Sequence, residues 1–452
     1  MGEMSPSRSA TKRKPRILIE TYGCTLNQAE SDIMEGVLRA KGYEINDDQA
    51  EDVSDVIIIN TCTVKGATEN KIIERMKKLN ASGKPFVVAG CLSADEGRLR
   101  SFAPNSPIVK TMSIGKICEA VDDALAGQVT VFKDYEQKDT LPRVYTAPIL
   151  RIPINDGCVG HCNYCQTKIA RPYLRSYSPK SISRWISEGI TNGAKEIQLA
   201  SQDSGAYGLD IKTDLVHLLD SICSDDSELR MRAISASGNA EFFIRLGMIN
   251  PEHAVRMKED LARILNHPNM YRFIHLPVQS GSEKVCRDME RDHTVQDFRG
   301  LAGYLREKVP DITIATDIIV GYPTESEEDF RETIELMRSV RPDIVNVSKF
   351  SPRPGTKAKM MEQLDNDTIK HRSAILSPIV REISNERNQS WAGRKLRVLI
   401  TEKQKDFTGR ARSYKQVVVK GFGGKLGDIV DVRISGANHG SLFGDINGKT
   451  QS

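Results

Sequence analysis

Residues Gly157–Cys165 read GCVGHCNYC, a CxxxCxxC arrangement of Cys158, Cys162 and Cys165 that directly follows an apolar run, ILRIPIN, with the character of a β-strand. Three thiolates on one short loop can each bind one iron of a [4Fe–4S] cube and leave the fourth iron without a protein ligand. The alternative for such a set is a zinc knuckle completed by another residue, for instance His161. It fits less well, because structural zinc sites come as paired knuckles and this triad stands alone at the head of a strand–helix series. The chain has nine cysteines, and three of them within eight residues suit a cluster in a reducing compartment better than a disulfide framework.

An iron without a protein ligand can be chelated by the amino and carboxylate groups of S-adenosylmethionine (SAM). An electron from the cluster then cleaves the sulfonium to a 5′-deoxyadenosyl radical. The sequence after the loop supports a scaffold for that chemistry. ILRIPIN is followed by EIQLASQ, EFFIRLGMI, MYRFIHLPV, ITIATDIIVGY and DIVNVSKF, with helical patterns such as SISRWISEGITNGA and EEDFRETIELMRSV between them. Six βα units predict a partial (βα)6 TIM barrel over residues 148–390, closed by an amphipathic helix from about Asn366 to Gln389, with functional residues at the carboxyl ends of the strands. Polar residues stand near those ends: Gln202 and Asp203, Arg245 and Asn250, Gln279 and Ser280, and Asp317. Each alone is an ordinary cap or turn residue. Their shared placement makes some of them contacts to SAM or substrate.

Upstream, RILIETYGC, DVIIINTC and PFVVAGC alternate with the helical stretches SDIMEGVLRAKGY and NKIIERMKKLN. Continuous apolar runs predict strands buried on both faces, hence a Rossmann- or flavodoxin-like parallel sheet over residues 16–128. Residues 129–147 carry little periodicity and read as a linker. Cys24, Cys62 and Cys91 each follow a predicted strand, on the edge where open α/β sheets bind ligands. Cysteine is also a common core residue, but three at equivalent strand ends can converge on a second cluster with its own open iron, able to carry a sulfide or persulfide. Two clusters with two open sites suggest sulfur insertion. Cys118, Cys223 and Cys286 lie in helical contexts and read as filler.

The C-terminal stretch 391–450 consists of short glycine-punctuated strands, RKLRVLITE to SLFGDI, and predicts a small β-barrel. Formal net charge is +4, yet residues 391–452 hold 12 Lys+Arg against 5 Asp+Glu, so a polyanion should meet this end first. Arg394, Lys395, Arg397, Arg410, Arg412 and Lys415 are the candidate phosphate contacts, with a solvated basic face as the plain alternative. With 39% apolar and 27% charged residues and no apolar run near the roughly 18 a span requires, no membrane anchor is expected. Residues 1–15 form a basic tail without the apolar core of a secretory signal, so a cytoplasmic location is expected.

TYGCTLNQAESD, NTCTV, AGC, GCVGHCNYC and the C-terminal barrel, in that order from about Arg16 to Ile446, resemble the radical SAM methylthiotransferases. ARPYLRSYS, FIRLGMINP, HLPVQSGS and NVSKFSPRPGTKA are similar to the archaeal and eukaryotic tRNA branch. Pro172 departs from the glycine of many relatives, and eukaryotic members usually add a C-terminal membrane tail, so the chain looks closer to an archaeal-type soluble enzyme.

The resemblance implies a C-terminal TRAM-like RNA-binding domain, two [4Fe–4S] clusters and Tyr164 against the adenine of SAM. One SAM would methylate sulfur held at Cys24, Cys62 and Cys91, and a second would supply the radical. The N-terminal domain would have to face the barrel mouth, and an electron donor of reductase or ferredoxin type would be needed. The implied substrate is tRNA carrying N6-threonylcarbamoyladenosine at position 37 of the anticodon loop. Arginines and lysines of ARPYLRSY and SKFSPRPGTK are candidates for reading its carboxylate. The rival readings are methylthiolation of a ribosomal-protein aspartate and a non-catalytic iron–sulfur RNA-binding protein.

Overall fold

The computed structural model describes residues 13–46, 50–63, 66–224 and 241–446. Most of the expected basic tail (1–12) and the last residues of the C-terminal stretch (447–450) lie outside the described residues. The chain forms two compact units, one holding residues up to 144 apart from 24–29 and 64–66, the other holding those two short segments with 145 onward.

In the first unit β1 (Arg16–Thr21), β2 (Glu44–Ile45), β3 (Val56–Thr61), β4 (Phe86–Gly90), β5 (Ile108–Val109) and β6 (Val131–Phe132) form one parallel sheet in the order β2-β1-β3-β4-β5-β6. That is the flavodoxin-like winding. Every residue of β3 and β4 is buried because alternate side chains enter two separate cores. Val56, Ile58, Val87 and Ala89 pack with Ile33, Met34 and Val37 of the helix Thr25–Ala40. Ile57, Ile59 and Val88 pack with Ile72, Met76 and Leu79 of the helix Gly66–Ser82. Two covered faces explain why these runs show no alternation.

The segment expected as a linker, 129–147, differs. Its Val131 and Phe132 add the sixth strand, and its charges turn inward: Lys138 forms a buried pair with Glu30 at 2.5 Å and Arg143 meets Asp32 at 3.4 Å. A two-residue strand is too short to show a period, and charges committed to buried partners look like a solvated loop in sequence.

The second unit opens with β7 (Ile149–Pro153), and a small antiparallel pair, β8 (Asn155–Asp156) with β9 (Arg175–Ser176), brackets the cysteine loop. β10 (Glu196–Ala200), β11 (Phe243–Arg245), β12 (Phe273–His275), β13 (Thr313–Val320) and β14 (Ile344–Lys349) follow. β7, β10 and β11 pair in parallel, as do β12, β13 and β14, and single parallel bridges, Ile244 to Met270 and Met248 to His275, join the two sets. The six expected strands are all present, in chain order. Ile197, Leu199, Ile244, Ile274, Ile314 and Ile318 face the surrounding helices. Strand alternation therefore turns Gln198, Arg245, His275 and Asp317 to the interior. The closing helix runs Asn366–Gln389, as its amphipathic pattern predicts.

β15 (Lys395–Lys403), β16 (Phe407–Ala411), β17 (Gln416–Lys420), β18 (Ile429–Ala437) and β19 (Leu442–Ile446) close into a barrel around Val398, Ile400, Val417, Val432 and Leu442. Tyr414, in the turn between β16 and β17, covers the amino end of the half-barrel. Its ring packs against Tyr271 and Phe273, each at 4.8 Å, and its hydroxyl donates to Glu196, the first residue of β10.

Candidate active site

The cysteine loop is held by backbone geometry first. Gly157 has φ +77°, and a Cβ there would collide with the Tyr173 carbonyl, so only glycine lets the chain leave β8 at this angle. Its N–H donates to Gln202 Oε1 at 2.9 Å, which ties the loop to the end of β10. The Gly160 N–H donates to Cys158 Sγ at 3.2 Å, and a Cβ on Gly160 would lie 3.4 Å from Cys158 Sγ and 3.9 Å from Cys162 Sγ. Asn163 is clamped from below: its N–H and Nδ2 donate to the carbonyls of Met289 and Asp288, and its Oδ1 accepts from the Tyr322 hydroxyl. Arg291 Nη1 donates to Cys162 Sγ at 3.0 Å.

These thiols are deprived of water. Burial pushes Cys158 up to about 12, with the Asp203 carboxylate adding to the rise. Burial also raises Cys162, while Arg291 opposes it. A cluster held by these thiols would bind them as thiolates, so its uptake would displace protons. Among the described residues no three thiols have all their sulfurs within 4.8 Å of one another.

Around the loop, the strand ends form one hydrogen-bonded network. The buried Asp203 accepts from the N–H groups of Gly205 and Asn250 and from Asn250 Nδ2, and faces His253 at 3.4 Å. Glu252 faces His293 at 3.4 Å. Asp203, Glu252 and His253 bring three potential ligand atoms within 4.8 Å of one another, but these partners already account for the grouping.

The expected cofactor contacts separate on this geometry. Gln202 and Asp203 stand beside the loop. Gln279 follows β12 with φ +73°, its N–H and C=O bonded to the backbone of Asp317 and Ile319. Asp317 faces the interior, bonded to His275 at 3.0 Å and Asn346 at 2.8 Å. Tyr164 is half-buried against Val285, Met289 and Tyr322. Arg245 is not at the carboxyl face. It pairs with Gln198 in mid-sheet, because the chain continues through Met248 before it turns, and its guanidinium lies 5.3 Å from the Phe273 ring and 5.7 Å from that of Tyr414.

In the first unit, Cys62 and Cys91 are buried and directly follow Thr61 and Gly90, which are paired across β3 and β4. Gly90 has φ +83° and a Cβ there would collide with Asn60 and the Thr61 backbone, so these strand ends approach as closely as backbones allow. Cys24 comes three residues after β1, is exposed, and donates to Asn27 Oδ1 at 3.2 Å. Cys223 and Cys286 lie in the half-barrel core.

Four of the six candidate phosphate contacts are committed within the chain. Arg394 makes a two-point pair with Asp311, Arg397 meets Glu241 at 2.5 Å, and Arg412 donates to the carbonyls of Asn266 and His267. Lys415 is buried on Asp343 at 2.8 Å and Asn388 at 2.9 Å. Their basic character reads as an RNA face in sequence, but it joins the small barrel to the half-barrel. Arg410 lies over the Tyr414 ring at 4.7 Å, and Lys395 is exposed. Of the candidates for reading a substrate carboxylate, Arg171 pairs with Asp156 at 2.6 Å and Lys357 with Glu290 at 2.8 Å. Sequence reasoning missed Arg291 altogether, because in CRDMERDHT it looks like one charge among many on a polar turn.

No helix of the described residues is long and apolar enough to cross a membrane. Residues 16–110 match Uncharacterized protein family UPF0004, 152–337 the Radical SAM superfamily and 389–446 the TRAM domain. A protein of Archaeoglobus fulgidus named "Probable threonylcarbamoyladenosine tRNA methylthiotransferase" is 39% identical over 95% of this chain and 98% of its own length. One of Xenopus laevis named "Threonylcarbamoyladenosine tRNA methylthiotransferase" is 35% identical over 96% of this chain and 77% of its own length. Among solved structures, the radical SAM methyltransferase TsrM from Kitasatospora setae superposes with a TM-score of 0.53 at 15% identity, covering 75% of this chain and 73% of that one, a likeness of fold alone. With identity of this extent running through all three matched regions, the chain belongs to the threonylcarbamoyladenosine tRNA methylthiotransferase family, whose members are radical SAM enzymes that use SAM and [4Fe–4S] clusters.

Proposed function

We propose that this enzyme inserts a methylthio group at C2 of N6-threonylcarbamoyladenosine at position 37 of tRNA, giving 2-methylthio-N6-threonylcarbamoyladenosine. The observation that carries the reading is the nearly full-length identity to relatives named for that nucleoside. The solitary three-thiol loop at the mouth of a half-barrel supports the same chemistry. A cluster bound at Cys158, Cys162 and Cys165, with SAM, supplies a radical able to take hydrogen from a C–H bond that no side-chain acid or base breaks at useful rates.

The chain's own residues contribute placement. Gly157 and Gln202 set the angle of the loop, and the carbonyls of Asp288 and Met289 hold Asn163 within it. Asp203 and Asn250 lock the neighbouring strand ends, so the thiols stay in register with the half-barrel. Cys24, Cys62 and Cys91 are the ligands we assign to a second [4Fe–4S] cluster, on the side of the reaction that provides sulfur. The target base leaves the anticodon-loop stack to reach the site. Of the six expected phosphate contacts, Lys395 and Arg410 are the two we retain for RNA, since the other four are engaged within the chain. A reductase or ferredoxin-type protein supplies electrons.

The test uses anaerobically reconstituted enzyme and three tRNAs, carrying N6-threonylcarbamoyladenosine, isopentenyladenosine or plain adenosine at position 37. Nucleoside mass spectrometry should find the methylthio product from the first alone, and a C2 deuterium on that base should appear in 5′-deoxyadenosine. Changing Cys24, Cys62 and Cys91 to Ala should leave SAM cleavage and remove the product. Equal turnover of all three tRNAs would overturn the substrate, and label retained in the tRNA would overturn the route.

A further inference from the structure

We infer that Arg291 is a positioning residue for the half-barrel cluster, holding Cys162 by a charged hydrogen bond that raises the cluster's reduction potential. The inference rests on the reading of Cys158, Cys162 and Cys165 as cluster ligands, and it concerns a residue outside the cysteine motif.

The guanidinium makes three directed contacts. Nη1 donates to Cys162 Sγ at 3.0 Å, and Nη2 donates to Asn250 Oδ1 at 2.8 Å and to the Pro277 carbonyl at 3.1 Å. Asn250 follows β11 and in turn donates to Asp203, which follows β10, while Pro277 follows β12. One planar group therefore refers a single sulfur to the ends of three strands. The backbone just before it grips the same loop through Asp288 and Met289, so residues 288–291 act as a clamp on Cys162 and Asn163.

The two neighbouring ligand sulfurs are treated unequally. Cys158 receives a neutral amide N–H, from Gly160 at 3.2 Å. Cys162 receives a cation, from Arg291 at 3.0 Å. Hydrogen bonds to ligand sulfurs withdraw electron density from the cluster and favour the reduced form, and a charged donor does so roughly twice as strongly as a neutral one. Glu252 answers the positive charge in the same neighbourhood, facing His293 at 3.4 Å. A lysine could supply the charge; its single ammonium has no planar fork to span the sulfur, the amide and the carbonyl together.

The experiment is a redox titration followed by electron paramagnetic resonance on full-length enzyme in which Cys24, Cys62 and Cys91 are Ala, so that one cluster gives the signal. Arg291→Gln should retain that cluster's iron and be about tenfold less reduced at a fixed potential, a negative shift of about 59 mV for a one-electron couple. Arg291→Lys should recover part of the shift. If Arg291→Gln loses its iron, the potential of Arg291→Lys decides: a negative shift supports the inference. An unchanged midpoint in iron-replete Arg291→Gln overturns it, as does an unchanged midpoint in Arg291→Lys where Arg291→Gln has lost its iron, and as does loss of iron from both variants with circular dichroism unchanged, which would make Arg291 a residue of cluster retention. Absence of iron at this site in the Arg291 parent would instead sink the cluster reading itself.

Discussion

The two ends of the half-barrel are built from the same strands and solve opposite problems. At the carboxyl end, polar groups are gathered around three thiols, and the backbone adopts left-handed conformations at Gly157 and Gln279. At the amino end, polar groups satisfy one another: Glu196 accepts from Tyr271 and Tyr414, and Asp343 accepts from Lys415 and Arg387. Polar groups at both ends are largely paired within the fold, and the difference lies in what they surround: Cys158, Cys162 and Cys165 stand among the paired groups of the carboxyl end, and the amino end is closed by Tyr414 and Lys415.

The largest effect that separates the ends comes from the thiols. Changing Cys158, Cys162 and Cys165 to Ala should abolish 5′-deoxyadenosine formation and lower iron from about eight to about four per chain, with no loss of stability in the metal-free protein. Residual SAM cleavage in that variant would break the assignment.

At the opposite end, Lys415→Ala removes one partner of a buried pair and should cost about 3–5 kcal/mol in denaturant unfolding. The folded fraction should still cleave SAM at the parent rate, and a fall in specific activity at unchanged stability would reverse the contrast.

A smaller, pH-dependent effect follows from Asp343. Burial pushes its carboxyl up, but Lys415 and Arg387 outweigh that and hold it below the ordinary range. Its contribution to stability is therefore complete above about pH 4, the unfolded value, and is lost as pH falls through the lower folded value. Unfolding midpoints measured from pH 6 downward should converge for parent and Asp343→Asn.

The smallest effect expected is from Arg394→Ala. Its pair with Asp311 is substantially exposed and contributes less than about 1 kcal/mol, and the salt slope of tRNA binding should not change. A slope reduced by about one would return Arg394 to the RNA face.

What could be read from sequence follows the same division. GCVGHCNYC is local: the three thiols proposed as ligands lie within eight consecutive residues, and no long-range pairing is needed to see them. Cys62 and Cys91 required a correct strand reading, and the continuous apolar runs of β3 and β4 supplied it. Arg291 was invisible because its meaning depends on Asn250, Pro277 and Cys162, none of them near in sequence. Arg412 and Lys415 were misleading for the converse reason. A basic residue carries the same letter whether it meets a phosphate or a buried aspartate of its own chain.

The seal at the amino end also gives the chain a test of its own completeness. Tyr414 and Lys415 belong to the last tenth of the sequence, whereas Glu196, Tyr271 and Asp343, which they cover, are synthesised well before them. A nascent or prematurely terminated chain holds the six cysteines assigned to clusters and all six strands of the half-barrel, yet leaves the Asp343 carboxylate without its lysine and the Tyr271 ring without its cover. Such a product should be degraded faster than a chain that carries the cover. Lifetimes of chains ended before residue 414 and after residue 446, compared by limited proteolysis, measure what that cover contributes to the half-barrel.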